Sequence, residues 1–405
     1  MNPRKILVIG GGIGGLAVAL FLQRAGMEAE VYEAQPAPDD TGGYFLNVAS
    51  NGLHVLKTLG LEQAVAAEGF PVPHMIMWGG SGKRLGEVRN GAAPGQGEVS
   101  VVVRRGSLNC RLREEAQRNG ITITWGKQLI GIDVTPDQRV TAHFADGAAA
   151  QGDCLISSEG IHSRTRQIIN PTALKPVYTG LISCGGFAHS TVLAPTPNTQ
   201  HFIFGKRAFF GYFVKASGEV WWFSNIAYAG EPRRSELAAV PHAVWQQRLL
   251  DLYSDDQPWI NDLIRATPGE IGMYPIYDVP TTPNWYQGPV VLMGDAVHAM
   301  SPSAGQGASF ALEDAIVLAK CIRDLPTFGS AFAAYESLRR RRAEKMVKAS
   351  RRFGNNKAAP NAAARWFRDL MLPFILKSSA NSQALDWVYT YKVDWHTAIQ
   401  PAADR

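Results

Sequence analysis

The stretch Lys5-Ile6-Leu7-Val8-Ile9-Gly10-Gly11-Gly12-Ile13-Gly14-Gly15-Leu16-Ala17, together with residues 28–33 beyond it, decides the architecture. Residues 6–9 form a short apolar run, rich in β-branched side chains, that ends on glycine. Strands buried on both faces of a parallel sheet read this way. From Gly14 to Ala25 the apolar residues Leu16, Ala17, Leu20 and Phe21 recur at helical spacing, and residues 28–33 read as a second strand. Strand, glycine turn, helix and strand make one βαβ unit at the start of the chain. Within it Gly10, Gly12 and Gly15 stand at the spacing G-x-G-x-x-G. Gly10 permits the tight turn, Gly12 lets the backbone approach a pyrophosphate, and Gly15 lets the helix pack against the strand. Ile13 and Gly14 belong to the helix start, whose free N–H groups favour an anion. Glu33, with Ala34 beside it, closes the second strand where a carboxylate accepts hydrogen bonds from a ribose.

Beyond this unit, residues 53–61 have a helical pattern, and 99–103 form a strand leading into a helix over 108–117. Residues 121–125, 130–134 and 140–144 read as successive strands, with Asp146-Gly147 marking a hairpin turn. Leu155-Ile156-Ser157 is another short buried strand before a glycine turn. After about Pro176 the character changes. Phe187, Phe202, Phe204, Phe209, Phe210, Tyr212, Phe213, Trp221, Trp222 and Phe223 crowd into alternating segments, as in a large antiparallel sheet. One helix is expected over 244–267. Residues 290–293 return to the buried parallel-strand pattern, and helices follow over 308–323 and 328–353. The expected fold class is α/β: a Rossmann-like domain interrupted by an antiparallel-sheet domain and then resumed. Its expected parts are 1–72, 98–176 and 280–350 for nucleotide binding, 73–97 and 177–279 for the sheet, and 351–405 for C-terminal helices bridging the two.

A chain of 405 residues exceeds the roughly 250–300 at which one hydrophobic core stops growing. With 46% apolar and 19% charged residues it is too apolar for a disordered chain. The net charge of +5 is modest, and much of it lies in Arg339-Arg340-Arg341-Arg342 followed by Lys345, Lys348, Arg351 and Arg352. Interleaved with Ala343, Met346, Val347 and Ala349, this run reads as a helix with a solvated basic face, not a nucleic-acid or membrane patch. Cys110, Cys154, Cys184 and Cys321 form no CxxC pair, which argues against zinc or any other metal and for structural thiols in a reducing compartment. Arg4-Lys5 before an apolar stretch mimics a secretion leader, but the glycines have the better explanation above. No run reaches the roughly eighteen apolar residues of a membrane span, so a soluble, cytoplasmic protein without stable membrane insertion is expected. The apolar residues 366–376, interrupted by Pro373, are expected to pack between domains.

Gly294-Asp295-Ala296-Val297-His298-Ala299-Met300-Ser301-Pro302, then Gly305-Gln306-Gly307-Ala308 and Glu313-Asp314-Ala315, resembles the second flavin fingerprint of the class A FAD-dependent monooxygenases, flavoproteins of para-hydroxybenzoate hydroxylase-like fold. The resemblance implies that Asp295 binds the FAD ribose and that Pro302, Gly305, Gln306, Gly307 and Ala308 hold the isoalloxazine ring at a helix start. Ser158-Glu159-Gly160-Ile161-His162-Ser163-Arg164 is similar to the family's central motif, which assigns Glu159, Gly160 and Arg164 to FAD and nicotinamide, with Glu159 standing where the family has aspartate. Arg105-Gly106-Ser107-Leu108 looks like the family's Arg-x-x-Leu, with Arg105 as a flavin contact and Arg104 as a competitor. Gly42-Gly43-Tyr44-Phe45-Leu46-Asn47 is similar to the segment beside the flavin ring, with Gly43 as the contact; a plain surface loop reads equally well there.

Membership implies FAD as cofactor, NADPH or NADH as reductant and O2 as the oxygen source. One oxygen atom would enter an aromatic or polycyclic small molecule by way of a C4a-hydroperoxyflavin. No protein nucleophile is then needed, and neither GxSxG nor HExxH occurs. Phe187, Phe204, Phe213, Asn225 and Pro302 are the substrate-site candidates, although core packing is the expected role for any single ring. His189 and His298 also offer hydrogen bonds, with structural roles favoured. A same-fold epoxidase or Baeyer–Villiger enzyme, and a non-catalytic flavin-binding sensor or partner, stay open as alternatives. So do monomer and homodimer; no nucleic-acid partner is expected.

Overall fold

The computed structural model describes residues 4–173, 175–355, 366–367, 369–374 and 385–399. The opening βαβ unit lies at the centre of a six-stranded sheet in the order Tyr286–Gln287, Val290–Leu292, Cys154–Ser157, Lys5–Ile9, Glu28–Tyr32 and Thr122–Thr124. All pairs are parallel except the first. Its central strands are sealed on both faces: Ile6, Leu7, Val8, Leu155, Ile156, Val291 and Leu292 are wholly buried. This is why they read as continuous apolar runs without alternation. The helix Ile13–Arg24 packs on the helix Gly307–Asp324, and glycine permits the approach, since a Cβ at Gly14 would lie 3.4 Å from that of Ala311.

The second large element is a seven-stranded sheet in the order Met273–Asp278, Val177–His189, Glu219–Ala227, Phe209–Val214, Thr199–Phe204, His74–Gly79 and Arg84–Arg89. It is antiparallel except where Thr199–Phe204 pairs in parallel with His74–Gly79, a strand contributed from far upstream. Side chains alternate between its faces. On one face Phe210, Tyr212, Trp222 and Ile226 pack with Trp245, Leu249, Tyr253 and Ile260 of two covering helices. Those helices, His242–Leu252 and Pro258–Arg265, replace the single helix expected over 244–267. Pro258 sits in the first turn of the second, where its missing N–H costs nothing; inside a continuous helix it would break one. The other face carries Phe187, Phe213 and Trp221 against Phe45, Phe70, Val72 and Val102, so it meets the small sheet Phe45–Val48, Val101–Arg104 and Phe70–Pro71.

One further expectation fails and another holds only in part. The basic run does present a solvated face, at Arg341, Lys345, Lys348 and Arg352, but Arg339 and Arg342 turn inward. Arg339 is fully buried and paired with Glu313 at 2.5 Å and Asp314 at 2.7 Å, and Arg342 bonds Glu313 at 2.7 Å. In the helix Phe328–Asn355, Tyr335, Arg339, Ala343, Met346 and Ser350 all fall on the buried stripe, so helical phase and not residue type decides their position. Nor do the described residues of 366–376 pack between domains: Trp366, Phe367, Leu370, Met371 and Phe374 are exposed. The half-buried side is formed by Asp369, Leu372 and Pro373, which turns the apolar face outward. Residues 375–376, like much of the expected bridging segment 351–405, lie outside the described residues.

Near the C-terminus the short helix Asp386–Tyr389 ties the parts together. Arg89 pairs with Asp386 at 2.6 Å, Arg342 donates to the carbonyls of Trp387 and Val388, and the Tyr389 hydroxyl donates to Asn90 at 3.4 Å. Among the described residues no helix is long and apolar enough to cross a membrane.

Candidate functional site

The first glycine turn is tight on its inner side and open on its outer side. Gly10 has φ +105°, and a Cβ there would fall 2.4 Å from the Ser158 carbonyl oxygen; at Gly15 it would fall 1.9 Å from that of Gly10. At Gly12 a Cβ would meet nothing within 4 Å. The strand end, the helix start and residue 158 are therefore locked together, while Gly12 and the free N–H groups of the helix face open space, as a pyrophosphate requires. The Glu33 carboxylate accepts from the N–H of Gly11 at 2.6 Å and of Gln35 at 2.8 Å, which aims it along the turn, with Ala34 exposed beside it.

The second turn faces the same cleft. Gly294, with φ +59°, leads from the strand Val290–Leu292 into Asp295. Asp295 is exposed although Gly294 and Ala296 on either side are buried, so its carboxylate lines an open cleft walled by protein. Desolvation by those walls raises its pKa; Asp314 adds to the rise, and the basic groups of His298, Arg105 and Arg166 oppose it. Arg105 is exposed at the start of the helix Arg105–Arg118, and its side chain passes 3.4 Å from the Cβ position of Gly43. Arg104 points the other way. It pairs with Glu219 at 2.8 Å and stacks 3.9 Å from the Phe187 ring. Of the two arginines, Arg105 alone is placed with Asp295 and Gly43.

Pro302, Gly305, Gln306, Gly307 and Ala308 form a short 3-10 turn and the start of the helix Gly307–Asp324. Gly305 is left-handed at φ +60°, its carbonyl accepts from the Asn47 side chain at 3.3 Å, and a Cβ at Gly307 would meet nothing. Behind this turn lies a network that the sequence reading did not assemble. Asp314 accepts from the Gly294 N–H at 2.8 Å and is paired with His298 Nε2 at 2.6 Å, while Asn51 donates to Glu313 at 2.6 Å and to Gln306 at 3.3 Å. Burial alone would raise the Asp314 pKa, but the charges of His298 and Arg339 overcome this and hold it far below the usual carboxylate range. The residue types were visible at Glu313, Asp314 and Arg339; what pointed to their meeting was the helical phase of Arg339 with Tyr335 and Ala343.

The central motif is held by its own hydrogen bonds. Glu159 accepts from the hydroxyls of Ser157 at 2.7 Å and Ser163 at 3.0 Å, and from the N–H groups of Arg164 at 3.2 Å and Thr165 at 3.1 Å. The longer acid thus anchors the start of the helix Arg164–Ile169, with Gly160 left-handed at φ +78° to close the loop. The Arg164 side chain lies on the outside, bonded to the Ile130 carbonyl and Gln167, whereas Arg166 is buried and donates to the Ala296 carbonyl at 2.8 Å. Arg166, to which sequence reasoning gave no role, acts with Arg105 on the charge of Asp295.

Across the cleft, Phe45 joins the two halves, its ring 5.6 Å from Phe213, 5.5 Å from Trp221 and 5.9 Å from Phe223. Tyr44 donates to the Gly272 carbonyl and meets Tyr274 edge-on at 5.4 Å. Phe213 is fully buried between Phe45 and Phe70, so it belongs to the junction and not to a substrate wall. Phe187 and Phe204 are half-buried and Asn225 is buried. His189 sits on an exposed hairpin, bonded to the Ser217 carbonyl at 2.9 Å, away from the cleft.

Comparison with known proteins fits this geometry. A family model described as an FAD binding domain matches residues 4–183 and 261–350. The chain is similar to an aurachin C monooxygenase/isomerase of Stigmatella aurantiaca, 30% identical over 91% of this chain and 93% of that protein. A 6-hydroxynicotinate 3-monooxygenase of Bordetella bronchiseptica is 30% identical over 85% of this chain and 90% of the relative. Among solved structures, a variant of Klebsiella pneumoniae HpxO complexed with FAD superposes with a TM-score of 0.81 at 25% identity, covering 93% of this chain and 97% of that one.

Proposed function

Because the chain belongs to the FAD-binding class A flavoprotein monooxygenases, we propose that it uses NADH or NADPH and O2 to place one oxygen atom on an aromatic or polycyclic small molecule held between the turn at Gly305–Gly307 and the inner face of the seven-stranded sheet. The observation that carries this reading is the strand Phe45–Val48. Its Phe45 end meets Phe223 of the sheet, and its Asn47 side chain bonds the Gly305 carbonyl, so the aromatic face and the second glycine turn are held on opposite sides of one cleft.

The residues present fit FAD. The helix start at Gly12 to Gly15 would hold the pyrophosphate and Glu33 the adenosine ribose. Asp295, Arg105 and Gly43 would line the flavin's path, with Pro302 and Gly305 to Ala308 beside its ring. Bound there, FAD supplies electron storage and oxygen activation, for which the side chains carry no substitute. The protein's contribution is orientation and exclusion of water. The N–H groups opening the helix Gly307–Asp324 favour negative charge beside the turn, and the rings of Phe45, Phe187 and Phe223 keep the facing wall dry.

The test is to purify the protein, record its visible spectrum, and follow anaerobic bleaching by NADH and NADPH across phenolic and polycyclic compounds. Flavin bands, with bleaching accelerated by one compound class and O2 consumption matched by hydroxylated product, are the expected result. Bound flavin that neither nicotinamide reduces would overturn the reductant assignment and favour the sensor reading. A protein that cannot be loaded with FAD would sink the proposal.

A further inference from the structure

The described residues of 366–374 are helical and turn their apolar side to solvent. Trp366, Phe367 and Phe374 are 69%, 59% and 67% exposed, and Leu370 and Met371 are exposed between them. Of the ten tryptophans only Trp366 is exposed. At about 100° per residue these five fall within one arc of about 140°, so they form a continuous stripe, unlike apolar residues scattered singly over a surface. The opposite side is held. Asp369, Leu372 and Pro373 are half-buried, and a Cβ at Gly79 would lie 3.4 Å from the Asp369 carboxylate. The helix therefore rests on the end of the strand His74–Gly79, with Lys83 exposed on the adjoining turn.

We infer that this stripe is a docking face for an anionic lipid surface, on which the helix lies in the plane of the headgroups. Its side chains are those that favour a membrane interface: aromatic and long apolar groups on one side of an amphipathic helix in a basic stretch of chain. The charge is complementary. Between residues 352 and 377 the sequence has Arg352, Lys357, Arg365, Arg368 and Lys377 but a single acid, Asp369, so much of the net charge of +5 belongs to the segment that carries the stripe. A negative surface attracts such a polybasic stretch, and apolar side chains that enter between the headgroups then hold it. With Arg368 and Asp369 inside it and Lys377 after it, the stretch is too short to span a bilayer, which takes about 20 apolar residues. Adsorption is therefore reversible. A second copy of the chain fits the stripe less well. The three rings, each of about 200 Å², present roughly 400 Å² at these exposures, half of the about 800 Å² per partner that a stable pair buries. Two copies would also bring like charges together.

The test sediments the FAD-loaded full chain with vesicles of phosphatidylcholine alone or with phosphatidylglycerol as a minor component. The wild-type protein should bind the mixed vesicles roughly tenfold better than the neutral ones, and raising the salt to about 1 M should remove that preference. These two comparisons need no variant. Trp366→Ser, Phe367→Ser and Phe374→Ser together should lower binding to the mixed vesicles by roughly tenfold or more. Val192→Ser, at an 85% exposed position elsewhere on the surface, should leave binding unchanged. All three rings are exposed, so the flavin spectrum and melting temperature of the triple variant should match wild type, and they report whether the fold is kept. Wild-type protein that sediments with neither vesicle, equal binding to both, or a triple variant that sediments as well as wild type would overturn the inference. Self-association of the wild type that the triple variant loses, without vesicle binding, would also overturn it and assign the stripe to a second copy of the chain.

Discussion

Replacing Arg339 by methionine should destabilise the protein strongly at neutral pH and much less in mild acid. Arg339, Glu313 and Asp314 are all fully buried, and the guanidinium bridges the two carboxylates. Removing one partner of a buried ion pair leaves charge in a medium that solvates it poorly, at a cost of about 3–5 kcal/mol. For a domain of this size each kcal/mol lowers the melting temperature by roughly 2–4 °C, so a fall of about 6–20 °C is expected. In the wild-type protein the folded-state pKa of Asp314 is depressed. Its contribution to stability is therefore full above the unfolded value near 4 and is lost as pH falls through the folded value. In the variant the Asp314 pKa rises, so mild acid neutralises the carboxylate and relieves the cost. The gap between the two proteins should narrow from pH 7 to pH 5. The assay is thermal unfolding at a fixed scan rate with saturating FAD, since large proteins often unfold irreversibly. A variant within 2 °C of wild type at pH 7, or a gap that widens on acidification, would refute the reasoning.

Three further outcomes are expected. Gly15→Ala should yield protein with little bound flavin, because its Cβ would press to 1.9 Å from the Gly10 carbonyl oxygen and push the helix off the strand; absorbance near 450 nm per protein chain checks it, and stoichiometric FAD would count against the first glycine turn as the pyrophosphate site. Glu33→Gln should weaken FAD binding roughly tenfold, through loss of about 1.5 kcal/mol of charge-assisted hydrogen bonding; fluorescence titration of the apoprotein measures it. Glu159→Ala should cost about 2 kcal/mol of stability, because four donors around the start of the helix Arg164–Ile169 lose their acceptor; denaturant unfolding reads this directly, and a neutral result would show that water replaces the carboxylate.

Much of the nucleotide-binding half was legible because backbone geometry dictates residue type there. Only glycine fits where a Cβ would collide at Gly10 and Gly15, and only a continuous apolar run fits a strand sealed on both faces, as residues 6–9 are. The buried arginine was misread because a basic run looks the same whether its helix faces water or a pair of acids; phase against Tyr335 and Met346 carried the information, and charge did not. The break at Pro258 was written in the sequence and passed over. The register of the seven-stranded sheet was beyond reach. Ser183, Asn225 and Tyr274 become neighbours only through strand register, and register follows from turns and bulges, such as the shift between Tyr178 and Ile182, that no local pattern announces.

The parallel pairing of Thr199–Phe204 with His74–Gly79 has a consequence for biosynthesis. A ribosome adding about 5–20 residues per second releases the upstream strand roughly 6–24 s before its partner exists, and for that interval the hairpin His74–Arg89 has no sheet to join. Its half-apolar edge must be shielded by transient contacts or by chaperones, so the yield of native protein should depend on translation speed and temperature more than its final stability would indicate. The same crossing makes the sheet inseparable from the rest of the chain. A fragment beginning near residue 175 would lack two strands, leave Thr199–Phe204 as a bare edge, and associate with other copies before it could fold alone.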